Sequence, residues 1–344
     1  MHMQFKARNS ILFAVLIIAL LLLLGFDFVT GSTYLSLRDL FLYIFNQSKI
    51  DSDLLVLIRD FRITRVLTAV LAGSALALAG LLMQTIFRNP LAGPYVLGVS
   101  SGAGFGVAIA VMGASAFGIN AFGAGAGLPV LISAALGSAG IMLIIIIASL
   151  KMRDNVTVLI LGMLMGAVVS ALISVIEYTA DSLSLKAYVI WGMGSLSALS
   201  FNNMLLLAAV LIPVIGLTFF ISKSLNLFLL GEDYAKISGV KTKSLRLIVF
   251  VLTCLLAGAV TAFCGPLGFV GIAVPHVARW IFKTNNHFII IPATIICGAV
   301  FMLIADILSI RLAASGILPL NAITAITGIP VIIYIIVKNQ KSYF

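Results

Sequence analysis

Residues 128–150 read LPVLISAALGSAGIMLIIIIASL, 23 positions without a charge. A helix needs about 20 apolar residues to cross the hydrocarbon core of a bilayer. Comparable runs recur along the chain, which is 62% hydrophobic and only 9% charged, against about 25% charged in a soluble protein. Inside a membrane every backbone polar group must be satisfied internally, so the choices are helices or a closed barrel. Barrel strands alternate apolar and polar residues, and these runs do not. The fold class is therefore an all-α polytopic membrane protein, expected as one transmembrane domain over residues 1–344.

Ten spans are expected, at about 10–29, 62–86, 93–113, 128–150, 156–178, 202–222, 246–264, 268–283, 288–308 and 318–337, the eighth of them short. The first follows Lys6 and Arg8 but is longer than a signal-peptide core and lacks a small-residue cleavage site, so it is expected to stay uncleaved. An even number of spans puts both termini on one side. With the N-terminus inside, the outer segments hold 7 of the 21 Lys and Arg: Arg38, Lys49, Arg59, Arg62, Arg65, Lys186 and Arg311. The other 14 lie inside, as the positive-inside rule requires. That bias explains the pI near 9.7 without any nucleic-acid partner. The longest outer loop, about 30–61, contains the amphipathic piece TYLSLRDLFLYIF, which suits a membrane surface. The longest inner loop runs from about 223 to 245.

Ionisable residues inside spans mark functional sites by default. Glu177 and Asp306 are read as the acids within or bordering the spans, each roughly 20 residues, or about 30 Å, from the inner start of its helix. Neither then lies at the midplane, where a secondary transporter would carry its coupling ion. No G-x-x-x-x-G-K-[ST] loop occurs, so nucleotide hydrolysis, where used, belongs to another chain. His2, His276 and His287 are far apart in sequence, and Cys254, Cys264 and Cys297 sit in apolar runs without metal-ligand spacing. No catalytic residue, metal site or cofactor is expected.

Gly98, Gly102 and Gly106 share one helical face, as do Gly162 and Gly166. Small residues at this spacing let helices in lipid approach closely; as a set, the first three are candidates for a path lined by packed, mobile helices. LAGSALALAG (71–80) and LAGAVTAFCG (256–265) share five of ten positions, and the same offset pairs Pro90 with Pro275. The two copies open the second and seventh spans, which run in opposite directions, the pattern of a weak inverted repeat.

Five segments, in order, resemble the FecCD-type permeases of iron–siderophore, haem and cobalamin ABC importers: RITRVLTAVLAGSALALAGLLMQTIFRNPLAGPYVLGVSSGAG, WGMGSLS, LGEDYAKISGV, CGPLGFVGIAVPHVAR and LPLNAITAITGIPVIIYII. The resemblance, from about residue 60 to 337, implies a type II ABC importer permease fold of ten helices. It further implies a dimer around a central path, with an identical or paralogous second permease, two cytoplasmic ATPase subunits, an extracytoplasmic binding protein, and a location in the cytoplasmic membrane of a prokaryote. The expected cargo is a ferric siderophore or similar iron chelate. A bare metal-ion permease would be expected to carry His or acidic ligands in its spans, and a secondary transporter would act alone.

The resemblance also implies site residues. Gly231, Glu232, Asp233, Ala235 and Gly239 match the loop that couples to the ATPase, Ala235 and Gly239 being the small residues a docking helix needs. Trp191, Gly192, Gly194 and Ser195 match the segment beside the gate. Arg62 and Arg65 match an R-x-x-R and Arg311 an outer-loop arginine that pair with binding-protein carboxylates; Arg59 continues their three-residue spacing. Two departures concern substrate identity: the last span opens with SGILP rather than an acidic residue before Leu-Pro, and Gly93 stands where the family commonly has an acid.

Overall fold

The computed structural model describes residues 2–31, 35–45, 51–113, 127–152, 155–313 and 316–339, and among these its regular elements are all helices. The elements are α1 (His2–Val29), α2 (Leu37–Phe45), α3 (Ser52–Phe87), α4 (Val99–Gly113), α5 (Gly127–Lys151), α6 (Asn155–Thr179), α7 (Ser182–Gly192), α8 (Phe201–Phe220), α9 (Ser222–Leu229), α10 (Glu232–Ile237), α11 (Thr242–Cys264), α12 (Val270–Phe282), α13 (His287–Arg311) and α14 (Leu320–Asn339). Seven are long and apolar enough to cross a bilayer, and three shorter apolar helices, Val99–Gly113, Val270–Phe282 and Leu320–Tyr334, complete the ten segments expected.

The bundle is organised on α3. Its most apolar window is 83% buried, against 11% for α1, so α3 is central and α1 peripheral. Antiparallel α13 lies along α3. Arg65 meets Asp306 at one end, the backbones close together at Gly73 and Gly298, Ser74 Oγ donates to Ile295 O at 3.1 Å, and Thr85 Oγ1 meets His287 Nε2 at 3.0 Å at the other end. α12 approaches α3 where Gly80 faces Gly271.

The FRNP turn ends α3. Arg88 takes the left-handed conformation, φ 47, while Asn89 N–H bonds Gln84 O and Arg88 N–H bonds Thr85 O. This Schellman arrangement satisfies the last carbonyls of the helix, and Asn89 Oδ1 accepts from Leu91 N–H at 2.9 Å. The glycine ladder then packs α4 inside the subunit: a Cβ on Gly102 would lie 2.5 Å from Gly137 O of α5, and Gly106 abuts Ser133 O. Gly162 of α6 faces Val96 O in the same way. Gly102, Gly106 and Gly162 are therefore scaffold contacts within the subunit.

Several expectations are corrected. The third span is not one helix: Pro94–Leu97 form a 3-10 turn and Gly98, in the left-handed conformation at φ 72, separates it from α4. The helix of the second span begins at Ser52 rather than near 62, because Asp51 caps it, accepting from Ser52 N–H at 2.9 Å. The expected outer loop after the fifth span holds α7, capped by Asp181, whose carboxylate accepts from Leu183 and Ser184 N–H. α2 does form, and it buries Leu40 and Tyr43 against Phe28, Leu35 and Ile58 while exposing Phe41, Ile44 and Phe45; Thr33 and Tyr34 lie outside the described residues.

Both described ends of the chain lie at the same end of the bundle, since Arg8 Nη2 donates to Phe282 O beside the start of α13, and α14 returns antiparallel to α13. α3 and α11 run antiparallel, Phe87 at the end of one stacking 5.9 Å from Phe250 near the start of the other. The paired prolines differ locally, Pro90 in a turn and Pro275 inside α12, but the residue after Pro275 reaches the first of them: His276 Nε2 donates to Pro90 O at 2.7 Å.

Candidate functional site

Three constellations stand along the bundle. At the Asp306 end, α3 passes through a π-helical stretch, Leu57–Ile63, closed by Thr64 Oγ1 donating to Arg59 O at 2.8 Å. Its wider turn breaks the single stripe expected for Arg59, Arg62 and Arg65. Arg59 stays exposed with its guanidinium 4.4 Å over the Phe201 ring, whereas Arg62 and Arg65 turn inward and are buried. The two arginines of the R-x-x-R thus face carboxylates of their own chain and not the surface. Arg65 Nη2 pairs with Asp27 Oδ1 at 3.0 Å and Arg65 Nε with Asp306 Oδ2 at 3.0 Å. Thr30 O accepts from Arg62 Nη1 at 2.6 Å and from Arg65 Nη2 at 2.8 Å. Arg311 is exposed, 5.4 Å over Phe26.

Asp27 is the residue the sequence reading passed over. It lies inside the first span, and a charge there is itself the signal that could have found it. With Asp306 it balances the two inward arginines. Such balance is needed, because an unpaired charge buried in a protein costs several kcal/mol.

The second constellation is a junction of interrupted helices. Met193 O at the end of α7 accepts from Asn321 N–H at 3.1 Å, and Cys264 O accepts from Ser195 N–H at 2.8 Å. Asn321 Oδ1 accepts from Gly268 N–H at 2.9 Å, and Tyr95 Oη from Leu267 N–H at 3.3 Å. Irregular backbone at membrane depth survives only where protein satisfies it in this manner. Tyr95 and Asn321 carry no sequence signal that would have named them. Trp191 stacks near Tyr188, at 6.1 Å, and its buried Nε1 has no hydrogen-bond partner among the described residues; Gly192 has open space where a Cβ would go.

Gly194 sits at φ 73 with Leu267 Cδ2 2.7 Å and Pro266 O 3.3 Å from where a Cβ would be. Gly194→Val is therefore expected to strain the junction by about 1–2 kcal/mol from the left-handed backbone alone, and to slow transport. Ligand-stimulated ATPase activity and the thermal midpoint of the purified complex measure it; wild-type values of both would refute it. Beside the junction lies a cavity of about 180 Å³ lined by Met193, Gly194, Ser195, Ser197, Asp306 and Leu318 among others. Asp306 thus joins the cavity to the arginine cluster.

At the opposite end, α9 and α10 form the third constellation. Ala235 is fully buried, so its small size fits α10 against its own subunit, and the expectation that it faces a partner is corrected. Glu232 anchors α10 to α11, meeting Arg246 Nη2 at 3.3 Å and accepting from Thr242 Oγ1 at 3.2 Å. Lys236 bonds Asp233 and Glu232, each at 3.3 Å, which pushes its pKa up. Gly231 and Gly239 bracket α10 at positive φ with open space around them. What projects is apolar: Ile237 is 87% exposed, Leu230 65% and Tyr234 51%. Asn226 of α9 accepts from His287 N and Nδ1, both at 2.8 Å, and so ties this segment to α13. Among the described residues no group of three His, Cys, Asp or Glu is placed to hold a metal ion.

Residues 15–338 match the model of the FecCD transport family. The chain is 33% identical over 284 residues to the hemin transport system permease of Yersinia pestis, covering 82% of this chain and 83% of that protein. It is 32% identical over 283 residues to the molybdate import system permease of Haemophilus influenzae, covering 81% and 80%. A solved inward-facing ABC transporter, described as of metal-chelate type, superposes with a TM-score of 0.83 at 30% identity, covering 96% of this chain and 99% of that one.

Proposed function

Because the chain belongs to the FecCD transport family and is a membrane-spanning permease of an ABC importer, we propose that it carries a ferric siderophore or similar iron chelate across the cytoplasmic membrane of a prokaryote. What supports this cargo class is the hemin permease among its relatives and the solved metal-chelate transporter, together with the junction cavity as one wall of a path that a second permease would complete. The cavity lining is aliphatic side chains, hydroxyls and backbone, with Asp306 the one charged residue, and that acid is already paired with Arg65. Such a wall suits a bulky complex whose metal is satisfied by its own ligand, like the hemin of the Yersinia relative. It offers no basic group to an oxyanion such as the molybdate of the Haemophilus relative.

In this reading two permeases, identical or paralogous, enclose the path, and the termini face the cytoplasm. The apolar tip of α10 inserts into an ATPase subunit, and a binding protein delivers cargo at the Asp306 end. The exposed Arg59 and Arg311 make first contact with its carboxylates, with Arg62 and Arg65 behind them. Planar guanidinium forks suit such pairing, and partly exposed pairs act through steering and register more than affinity.

Reconstitution into proteoliposomes with the ATPase and binding protein tests the cargo. ATP-dependent uptake of a radio-iron-labelled siderophore or hemin, with none of molybdate or free iron, is the expected outcome. Uptake of molybdate or free iron alone would overturn it.

A further inference from the structure

We propose that Asp27 and Asp306 are internal stand-ins for the binding protein's carboxylates, which docking must displace from Arg65 before the two proteins lock. The inference rests on the docking reading above and adds what holds the arginines until the partner arrives. Arg65 spends its fork inward, Nη2 on Asp27 and Nε on Asp306, each at 3.0 Å, and Arg65, Arg62, Asp27 and Asp306 are all buried. All four side chains are turned inward and buried, so none of them is presented to a partner while the group stays closed.

Its cover is the end of α1. Thr30 O accepts from both arginines, and Gly31 lies directly against the Arg62 guanidinium. The end of α1 is buried in a small cluster of its own, Phe28 with Leu35 and Ile58, separate from the main core, so it can move without dismantling that core. The trigger is next to the cover: exposed Arg311 rests on Phe26, the residue before Asp27. A carboxylate that draws Arg311 away removes a contact from the same helix end that supplies Asp27. Once Arg65 turns to the partner, Asp306 loses its counter-ion at the cavity wall, which links docking to the path.

Exchange makes a prediction that a purely structural ion pair does not. Removing an internal competitor should strengthen docking, because the buried positive charge left behind is satisfied when the partner supplies a carboxylate. Asp27→Asn, in the whole permease–ATPase complex in nanodiscs, is expected to bind its binding protein about tenfold more tightly than wild type. Gly31→Ala keeps all four side chains but places a methyl where the Arg62 guanidinium lies, so it should shift affinity the same way. Wild-type or weaker docking in both variants overturns the proposal, and Gly31→Ala alone decides should Asp27→Asn not accumulate.

A second measurement needs no partner. Phenylglyoxal modification mapped by mass spectrometry should label Arg59 and Arg311 in wild type, and Arg65 as well in Asp27→Asn and Gly31→Ala; Arg65 unlabelled in both variants also overturns the exchange. The combination Arg59→Glu with Arg311→Glu separates the two readings. Unchanged docking in that variant removes the docking face itself, whereas weakened docking there, with wild-type affinity in Asp27→Asn, sinks only the exchange.

Discussion

Ile237→Asp is expected to cut ATP-driven uptake about 100-fold while the permease still inserts and dimerises. Ile237 is 87% exposed on a six-residue helix that projects from the bundle, with Tyr234 one turn earlier and Leu230 just before it. Isolated exposed apolar residues are ordinary, but several on one projecting tip mark an interaction surface. Burying an Ile side chain in a partner contributes about 1.5–3 kcal/mol. An aspartate there forfeits that and buries a carboxylate without a partner, so about 3 kcal/mol, or about 100-fold, is the expected loss.

The seat of α10 should survive, because Glu232, Thr242, Arg246 and the bond from Val240 N–H to Ala235 O hold it from the other side. Ala235→Arg would also abolish uptake, but by forcing a charged side chain into a fully buried position, so it cannot report on the ATPase contact. Asp233→Ala is the control: its side chain is 94% exposed, and only a small effect is expected. Uptake per reconstituted permease and co-purification of the ATPase are the measurements. Wild-type values of both for Ile237→Asp would remove the coupling role of α10.

The long helices were legible because apolar length alone decides them: α5, α6, α8 and α13 begin and end within about three residues of the apolar runs, and α1 ends where its run ends. Where a span is interrupted, hydropathy is silent. Nothing in the composition of 93–113 distinguishes a continuous helix from a turn at Pro94–Leu97 followed by a left-handed break at Gly98, because both are equally apolar. The α7 helix was readable from Asp181, an N-cap residue ahead of an apolar stretch, but it lies between long spans that drew the eye. The arginines illustrate a different limit. Three-residue spacing implies one stripe only if the helix is regular, and the π-helical stretch at Leu57–Ile63 depends on how α3 packs. Charge partners are also tertiary facts: Asp27, Arg65 and Asp306 are spread along the chain, and only the packing of α1 and α13 on α3 brings them together. The coupling segment was located by its motif, yet which of its side chains face outward was not, since Ala235 and Ile237 are both apolar and only the seat on α11 tells them apart.

Gly298→Val is expected to abolish accumulation of the protein in the membrane. A Cβ at 298 would meet the Gly73 carbonyl of α3 and lie 2.7 Å from Ala77 Cβ, and a Cβ at 73 would meet Gly298 O in turn. Neither obstacle is the tip of a flexible side chain, so relief requires the two helices to separate. They cannot do so locally. Arg65–Asp306 pins one end of the pair and Thr85–His287 the other, with Gly73–Gly298 between them. Overpacking a core that can adjust costs about 1–3 kcal/mol; here the adjustment would also break buried polar contacts at one end, and the total exceeds that range. Close approach matters more in lipid than in water, because helix association there depends on van der Waals packing and not on expelling water. Gly298→Ala carries one methyl and should give a lower but measurable level with a reduced thermal midpoint in detergent. Gly140→Ala and Gly216→Ala are the controls, since nothing lies within 4 Å of a Cβ at either position; with helix propensity favouring Ala by about 1 kcal/mol, neither should lower the midpoint. Membrane-fraction immunoblots and thermal scans decide the matter: a Gly298→Val protein with a wild-type level and midpoint would mean that α3 and α13 do not form the rigid axis of the permease.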